Sequence, residues 1–211
     1  MHRVSRPKSA PLPRNRLWVC FIVLATLLNG CTTTQPLPGI NNWDTYQARL
    51  SQLENWKLQG KLGVRLPDDS NSVYVDWEQA PKDYAIRLSG PLGQGTTWIR
   101  GSDETVSLEQ AGHAPLSAET PEELIYNALG WNLPISDLFY WVRGIPAPRT
   151  HITNQEKTEA GALAFLEQAG WQLTYSRYNA VGPWQLPGKI VARRDALKLT
   201  LVIKEWHLPE N

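Results

Sequence analysis

The chain has 211 residues, a size that suits one domain with a buried core and a short leader or tail. Hydrophobic residues make up 42% of it and charged residues 19%, which excludes a disordered acidic chain and a coiled coil. Five of the 21 Lys and Arg lie in residues 1–30, where no Asp or Glu occurs, so the rest of the chain carries 16 basic and 20 acidic residues. Because nucleic-acid binding needs clustered basic residues, this mildly acidic body predicts no nucleic-acid partner.

The first thirty residues have the layout of a bacterial export signal. A basic segment ends at Arg16 and is followed by twelve mostly apolar residues, 17–28. As a helix these would reach ~18 Å, short of the ~30 Å hydrocarbon core, which favours a signal over a permanent span. Residues 28–31 read Leu-Asn-Gly-Cys and resemble the lipobox of bacterial lipoproteins. This resemblance implies cleavage before Cys31 and acylation of that residue.

The cysteine count agrees with lipidation. Cys20 would leave with the signal, so Cys31 would be the lone thiol of the mature chain and no intramolecular disulfide could form. The alternatives are a secreted protein with an incidental cysteine and an uncleaved membrane anchor. Thr32 follows the cysteine. By analogy with sorted bacterial lipoproteins, in which Asp at this position commonly signals retention in the inner membrane, Thr32 favours the outer membrane.

The predicted organisation has three parts: a signal over 1–30, a lipidated cysteine with a Thr/Pro/Gly tether over 31–42, and a single domain over 43–211. At the start of the domain, apolar residues recur at spacings of three and four over 43–53, and Asn42 precedes them. This pattern predicts a capped amphipathic helix.

After this helix the apolar period changes from 3.6 to 2, which is typical of half-buried strands. Five successive strands joined by short turns predict an antiparallel meander, and four further strands follow later in the chain. The segment 161–169 is also compatible with a helix by propensity, and we predict a strand within it. The predicted strands cover 56–66, 73–78, 84–88, 96–100, 105–109, 164–167, 171–177, 189–193 and 197–204.

Two helices interrupt the strands. A T-x-x-E capping box with Pro121 at the first helical position predicts a helix over 120–129. A stripe over 135–142 predicts another, with apolar residues at spacings of three, four and seven. The fold is therefore predicted to be mainly β with α, a curved antiparallel sheet whose apolar side is covered by short helices. Such a sheet could enclose a filled core or a ligand cavity.

Residues suited to catalysis are sparse. His113, His151 and His207 are scattered, and neither H-E-x-x-H nor G-x-S-x-G occurs. The paired carboxylates at 68–69 and 122–123 lie in a turn and at a helix start, where solvation and the helix dipole account for them. We predict that the protein is not an enzyme and has no metal site and no cofactor.

Two features could serve a lipid ligand. Pro91, Leu92 and Gly93 stand in a Gly/Pro-rich turn between two strands, which would either project the leucine into solvent or pack it on the sheet end. Ten tryptophans occur, and inward-facing ones would either fill a core or form rigid walls for acyl chains. The candidate cavity-lining residues are Trp56, Leu58, Val75, Trp77, Ile86, Leu88, Trp141 and Trp171.

Several segments, in their order and spacing, resemble the LolB family of outer-membrane lipoproteins. They cover most of the mature chain, although 147–163 diverges. The matching segments are the lipobox, W-x-L-x-G-K-L at 56–62, the strand at 73–78, Y-x-I-R-L-S-G-P-L-G at 84–93, the capping-box helix, L-P-I…W-V-R-G-I-P at 133–146 and W-x-L-x-Y at 171–175.

The resemblance implies an open, half-closed antiparallel β-barrel whose short helices lid an apolar cavity. It implies a protein anchored in the outer membrane and facing the periplasm, which takes acylated lipoproteins from the soluble carrier LolA and inserts them into outer-membrane lipid. The family's projecting apolar loop residue, needed for insertion, falls at Leu92, in the loop with Pro91 and Gly93. We expect a monomer.

Two other classes of function stay open from the residues. One is a structural or adaptor lipoprotein of envelope assembly with a filled barrel. The other is a glycan-binding module that stacks sugars on exposed tryptophans. Tryptophan orientation separates them, because a lipid pocket needs the rings inside and a glycan site needs them in a line outside.

The lipobox generates the first testable prediction. We expect Cys31→Ala to block cleavage and acylation, because both steps act on the cysteine. The measurement is the mass of the protein and its partition into detergent after expression in a Gram-negative host. A processed, detergent-partitioning species in the variant would contradict the lipoprotein assignment.

Overall fold

A computed structural model of the protein describes residues 39–90, 95–102, 105–129 and 133–209. These residues belong to the unit Leu37–Asn211. Several predicted features lie outside the described residues, namely the signal over 1–30, Cys31, Pro91, Leu92 and Gly93.

Thirteen strands and three helices occur in the described ranges. The helices are α1 (Trp43–Ser51), α2 (Pro121–Leu129) and α3 (Ile135–Trp141). The strands are β1 (Trp56–Arg65), β2 (Ser70–Gln79), β3 (Tyr84–Ser89), β4 (Thr97–Gly101), β5 (Val106–Gln110), β6 (Leu116–Ala118), β7 (Ile152–Lys157), β8 (Leu163–Gln168), β9 (Trp171–Ser176), β10 (Asn179–Val181), β11 (Trp184–Leu186), β12 (Lys189–Arg194) and β13 (Leu197–His207).

Eleven of these strands form one antiparallel sheet in the order β6-β5-β4-β3-β2-β1-β13-β12-β9-β8-β7. The sheet is open, since β6 and β7 lie at its two edges. Strands β10 and β11 form a separate hairpin. This architecture confirms the prediction of a mainly β protein with an open antiparallel sheet and short helices. It also confirms the predicted strand within 161–169, which is β8.

The structure adds strands that the alternation did not predict. Strand β7 is exposed at five of its six positions, and β6, β10 and β11 have three residues each. Strand β13 continues to His207, three residues past its predicted end. A β-bulge at Lys204 of β13, opposite the step from Gln59 to Gly60, shifts the register and brings Trp206 opposite Leu58.

Period-2 alternation divides the sheet into an inner face, which carries the core, and an outer face, which meets solvent. On the inner face, five apolar residues from five strands stand opposite one another in one row. All five are at most 9% exposed: Leu58, Trp77, Ile86, Ile99 and Leu108. The outer face of the same strands carries residues such as Lys57, Glu78 and Arg100, which form surface ion pairs.

The helices supply the cover that the inner face needs. The Asn42 side chain caps α1 by accepting from the Thr45 amide at 2.9 Å, and Thr120 caps α2 by accepting from the Glu123 amide at 3.2 Å, so both predicted caps form. The Tyr46 hydroxyl donates to the Gln185 carbonyl at 2.9 Å and fixes α1 on β11. Within the described ranges, the helices are too short or too polar to cross a membrane.

One fully buried polar side chain ties the segment after α3 to the sheet. The Oε1 atom of Gln168 accepts from the Trp141 indole at 2.7 Å and from the Ala147 amide at 2.9 Å. Its Nε2 atom donates to the carbonyls of Ala147 and Thr150 at 2.9 and 2.7 Å. Because both amide hydrogens and the oxygen are satisfied, this glutamine is buried without an orphaned group.

This network generates a stability prediction. We expect Gln168→Leu to lower the free energy of unfolding by about 2–4 kcal/mol, because it leaves two donors and two acceptors buried without a partner. Urea unfolding followed by tryptophan fluorescence measures the change. As a control, Gln172→Leu makes the same substitution at an exposed position of β9 and should change stability by less than about 0.5 kcal/mol. If the two substitutions lowered the free energy of unfolding equally, the hydrogen bonds of Gln168 would make no special contribution to stability.

Candidate functional site

All eight predicted cavity-lining residues lie in the interior. Seven are buried and Leu88 is half-buried. Six of them come from neighbouring strands: Trp56, Leu58, Val75, Trp77, Ile86 and Leu88 on β1, β2 and β3. The other two, Trp141 and Trp171, form a separate pair whose ring centroids are 6.4 Å apart.

The first group belongs to an aromatic cluster, defined here as Trp56, Trp77, Tyr84, Phe139 and Trp206. The Trp56 ring lies 5.1 Å from that of Trp77 and 5.5 Å from that of Trp206. The ring of Phe139, from α3, stands edge-on to Trp77 at 5.4 Å and to Tyr84 at 5.1 Å. Phe139 therefore fills the space between the helix and the strands that the cavity-lining prediction names.

Tyr84 brings a polar atom into this cluster. Its hydroxyl is buried and has no hydrogen-bond partner among the described residues. Burial, with a smaller effect from Glu122, raises the pKa of Tyr84 to about 12, so the phenol is neutral at pH 7. The hydroxyl is thus a neutral donor that a carbonyl oxygen could satisfy.

Strand β9, which carries Trp171 and Tyr175, has similar orphaned donors. The indole nitrogen of Trp171 and the hydroxyl of Tyr175 are buried with no partner among the described residues. Burial raises the pKa of Tyr175 well above its usual value, so it is also neutral. Orphaned donors of this kind are uncommon in protein cores and mark places where a polar group of a ligand could bind.

A buried arginine fixes the end of α3 next to Phe139. The Nη1 atom of Arg143 donates to the carbonyls of Leu50 and Leu53 at 2.9 and 2.7 Å, and its Nε atom donates to the Phe139 carbonyl at 3.0 Å. Burial lowers the pKa of Arg143 to about 10, which leaves the guanidinium charged at pH 7. The side chain therefore ties the C-terminal ends of α1 and α3 together.

The other end of α3 is also held by polar contacts. The Glu122 carboxylate, from α2, accepts from the Ser136 amide at 2.7 Å. The Thr150 hydroxyl donates to the Asp137 carboxylate at 3.1 Å. Burial raises the pKa of Asp137, and the Thr150 hydrogen bond opposes this shift. Both ends of the helix are thus fastened, whereas Phe139 in its last turn meets the strands through ring edges.

Two clefts in the described part of the chain lie away from the predicted cavity residues. The larger measures about 480 Å³ and is lined mostly by outer-face and turn residues, among them Glu78, Asp83, Arg100 and Ser107. The smaller measures about 190 Å³ and lies between α1 and residues 140–148. Since the aromatic cluster is packed, the cavity-lining roles stay a prediction.

The tryptophans of the described ranges face inward or are half-covered. Of these eight residues, five are buried and three are half-buried. Trp98 stands on the outer face, with the guanidinium carbons of Arg100 and Arg87 at 4.5 and 5.8 Å from its ring. This arrangement does not match the exposed line of rings expected of a glycan-binding module.

Sequence reasoning missed several residues of this region. Phe139 belongs to the apolar stripe over 135–142, and this stripe indicates that its side chain faces the core. Trp206 lies beyond the predicted end of β13, and the bulge hides its alternation. Arg143 and Gln168 are polar, and polarity alone predicts exposure.

Sequence comparison identifies the family. The family profile described as "Outer membrane lipoprotein LolB" matches residues 54–206. The outer-membrane lipoprotein LolB of Cellvibrio japonicus is 41% identical over 196 residues, which cover 90% of this chain and 97% of the relative. The protein of that name from Chromohalobacter salexigens is 38% identical over 213 residues, covering 99% and 98%. A third, from Pseudomonas paraeruginosa, is 42% identical over 201 residues, covering 92% and 96%.

Comparison of structures agrees at the level of fold. A crystal structure of a LolA superfamily protein from Nitrosomonas europaea has a TM-score of 0.52 and covers 80% of this chain and 92% of its own, at 7% sequence identity. The family profile and the relatives confirm the predicted family, the outer-membrane, lipid-anchored location and the prediction that the protein is not an enzyme. The chain belongs to the LolB family of outer-membrane lipoproteins, which acts in lipoprotein localisation.

Proposed function

We propose that this protein accepts acylated lipoproteins from the periplasmic carrier LolA and inserts them into the outer membrane. The observation that supports this best is the aromatic inner face of an open sheet, on which the Phe139 ring packs edge-on against Trp77 and Tyr84. An acceptor for acyl chains needs an apolar surface that is covered when empty and can be uncovered.

The chemistry of the cargo sets what this surface must do. Each methylene group kept from water is worth about 0.8 kcal/mol, so a three-chain anchor does not cross the periplasm unaided. The acceptor must hold the chains more tightly than the carrier does and less tightly than the bilayer does. Buried tryptophans supply apolar area, and the orphaned hydroxyl of Tyr84 can donate to an ester or amide oxygen at the head of the chains.

The contacts around α3 favour one route of entry. Arg143 and Glu122 hold the two ends of the helix by hydrogen bonds to main-chain groups. Phe139 touches Trp77 and Tyr84 by edge contacts worth about 0.5–1.5 kcal/mol each. Rotation of this side chain costs less than displacement of the whole helix. In the proposal, the first acyl chain takes the place of the Phe139 ring.

This route predicts opposite effects of two substitutions at one position. We expect Phe139→Ala to tighten binding of a fluorescent fatty-acid or lipopeptide probe roughly tenfold, because a dry apolar space opens where the ring lay. Phe139→Trp should weaken binding, because a larger ring fills that space. Titration of the unacylated body, residues 32–211, with the probe measures both effects.

The control for this experiment is Tyr126→Ala, which removes an aromatic ring that is 55% exposed on α2. It should leave probe affinity unchanged. Circular dichroism confirms that each variant is folded. If neither the parent protein nor Phe139→Ala binds the probe, the interior is a filled core, and the adaptor function of envelope assembly takes the place of this proposal.

We assign the insertion step to Leu92, which lies outside the described residues. A single leucine in the segment between β3 and β4 is too small to anchor the protein, since its burial is worth only about 1.5–3 kcal/mol. It is suited to entering the edge of the acyl region beside a loaded acceptor. The anchoring itself falls to the acylated Cys31, which contributes far more apolar area.

This assignment separates receipt of cargo from delivery. We expect Leu92→Glu to leave transfer from the carrier nearly unchanged and to slow insertion into liposomes by about tenfold or more, because a charge resists entry to the acyl region. Leu92→Ala should be milder, and Leu92→Trp should retain function. A liposome assay that scores the two transfers separately measures this. Normal insertion by Leu92→Glu, or loss of the carrier step instead, would contradict the role.

A further inference from the structure

The outer face carries an unusual concentration of positive charge on its central strands. Five cations from β1, β12 and β13 lie on this face within three successive rows of residues. We call them the outer basic face: Lys61, Arg65, Lys189, Arg193 and Lys198. Three of them are exposed, and Lys189 and Lys198 are half-buried.

Three of these cations stand directly opposite one another. Arg65 pairs in register with Lys198, and Lys198 pairs with Arg193 on the next strand. Directly opposed side chains of an antiparallel pair have Cβ atoms roughly 5 Å apart, and like charges at that distance repel. Because this repulsion destabilises the folded sheet, the stability of the fold does not account for the three cations.

Other charged residues of the outer face form ion pairs with neighbours of opposite charge. Lys57 contacts Glu78 at 2.8 Å, Arg87 contacts Asp76 at 3.1 Å and Arg100 contacts Glu109 at 2.9 Å. None of the five cations of the outer basic face forms an ion pair within the described ranges.

Acidic residues are present near this region, but they lie outside it. Across β2, β1, β13, β12 and β9, the three rows that hold the outer basic face contain no Asp or Glu. In the row next to Lys61, Asp76 and Glu205 stand opposite Gln59, and they contact Arg87 at 3.1 Å and His207 at 3.3 Å. In the turns at the other end, the Asp69 carboxylate accepts from the Asn71 side-chain amide at 3.0 Å, and Asp195 lies 3.9 Å from Arg194. Glu167 is one strand further out, opposite Gln172.

The position of the outer basic face suggests its partner. Lys61 pairs with Tyr74, and Tyr74 pairs with Ser89, the last residue of β3. The connection from β3 to β4, which contains Leu92, therefore leaves the sheet from the same row as Lys61. Tyr74 is 49% exposed, and a tyrosine between apolar and charged surroundings is typical of a membrane–water interface.

We propose that the outer basic face docks on anionic phospholipid headgroups of the membrane that receives the cargo. This proposal rests on the proposed function, because it assigns the surface that faces the bilayer while Leu92 enters it. Clustered Lys and Arg near a membrane surface are attracted to anionic lipids. An acidic protein partner is disfavoured, because Lys61 shares a row with the interfacial Tyr74 and with Ser89, after which the connection that contains Leu92 begins.

The test uses the acylated mature protein anchored in vesicles. One set contains phosphatidylcholine alone, and the other contains about one-third phosphatidylglycerol. Amine labelling followed by mass spectrometry reads the accessibility of each lysine. We expect labelling of Lys61, Lys189 and Lys198 to fall by about threefold or more in the anionic vesicles and to recover in about 0.5 M salt. Lys57, at the other end of the face, should not change.

A charge reversal at the centre of the cluster sharpens the test. Lys198→Glu places a carboxylate between Arg65 and Arg193, so the melting temperature should stay the same or rise, whereas protection of Lys61 and Lys189 should be lost. Lys82→Glu, in the turn between β2 and β3, makes the same change in net charge and should keep the protection. A structural role of Lys198 would instead lower the melting temperature.

Three results would overturn the proposal. The first is equal amine labelling of the three lysines in the two vesicle types. The second is full protection of Lys61 and Lys189 in the Lys198→Glu variant. The third is protection that appears only when the loaded carrier is added to neutral vesicles. Cargo transfer is scored in the same vesicles. Transfer without protection would refute the docking surface and leave the proposed function standing, and protection without transfer would support the docking surface and refute the proposed function.

Discussion

The structure depends on covering one face of an open sheet. A closed barrel buries its inner face by its own curvature, whereas an open antiparallel sheet needs other elements to exclude water from that face. Here three short helices do so, and none is long enough to be stable alone. Their positions follow from contacts with the sheet and with each other. Gln168 and Arg143 are central because each bonds several main-chain groups that distant segments contribute.

Polar anchoring and aromatic cover have different consequences for function. Hydrogen bonds that Arg143 donates and Glu122 accepts fix where α3 ends and begins, and breaking those of Arg143 would orphan buried carbonyl groups. The contacts of Phe139 with Trp77 and Tyr84 are apolar and non-directional by comparison. An acyl chain can replace a phenyl ring against a tryptophan at little net cost, because one apolar neighbour is exchanged for another. A rigid scaffold with an exchangeable cover is what a transient lipid acceptor needs.

The sequence predicted those parts of the fold that leave a periodic apolar pattern. Alternation located β1 to β5, and the capping box located α2, because both signals are local. Strand β7 escaped prediction because an edge strand with five exposed positions has no apolar alternation. The inward side of the candidate residues was also predictable from alternation. The packing of Phe139 against them was not, because it depends on how α3 crosses the sheet.

The chemistry of single residues was predicted less well where it depends on tertiary partners. A buried glutamine or arginine is identified only once its acceptors and donors are known, and those of Gln168 come from residues 18 to 27 positions away. The outer basic face shows the same limit for charge. A count of 16 basic and 20 acidic residues suggests a mildly acidic body, yet strand pairing brings together cations that are far apart in sequence.

The register of β1 with β13 links the two faces of the sheet. A shift of one residue would turn the apolar surface of β1 outward and its basic surface inward. The residues that leave the inner face would be Leu58, Gly60 and Leu62, and those that enter it would be Lys57, Gln59 and Lys61. Gly60 holds the register, because a Cβ atom there would overlap the carbonyl oxygen of Val202, which only a glycine can approach so closely. The bulge beside it brings Trp206 inward against Trp56. The same pairing therefore builds the surface proposed for acyl chains and the surface proposed for the membrane, so neither can be altered at these strands without the other.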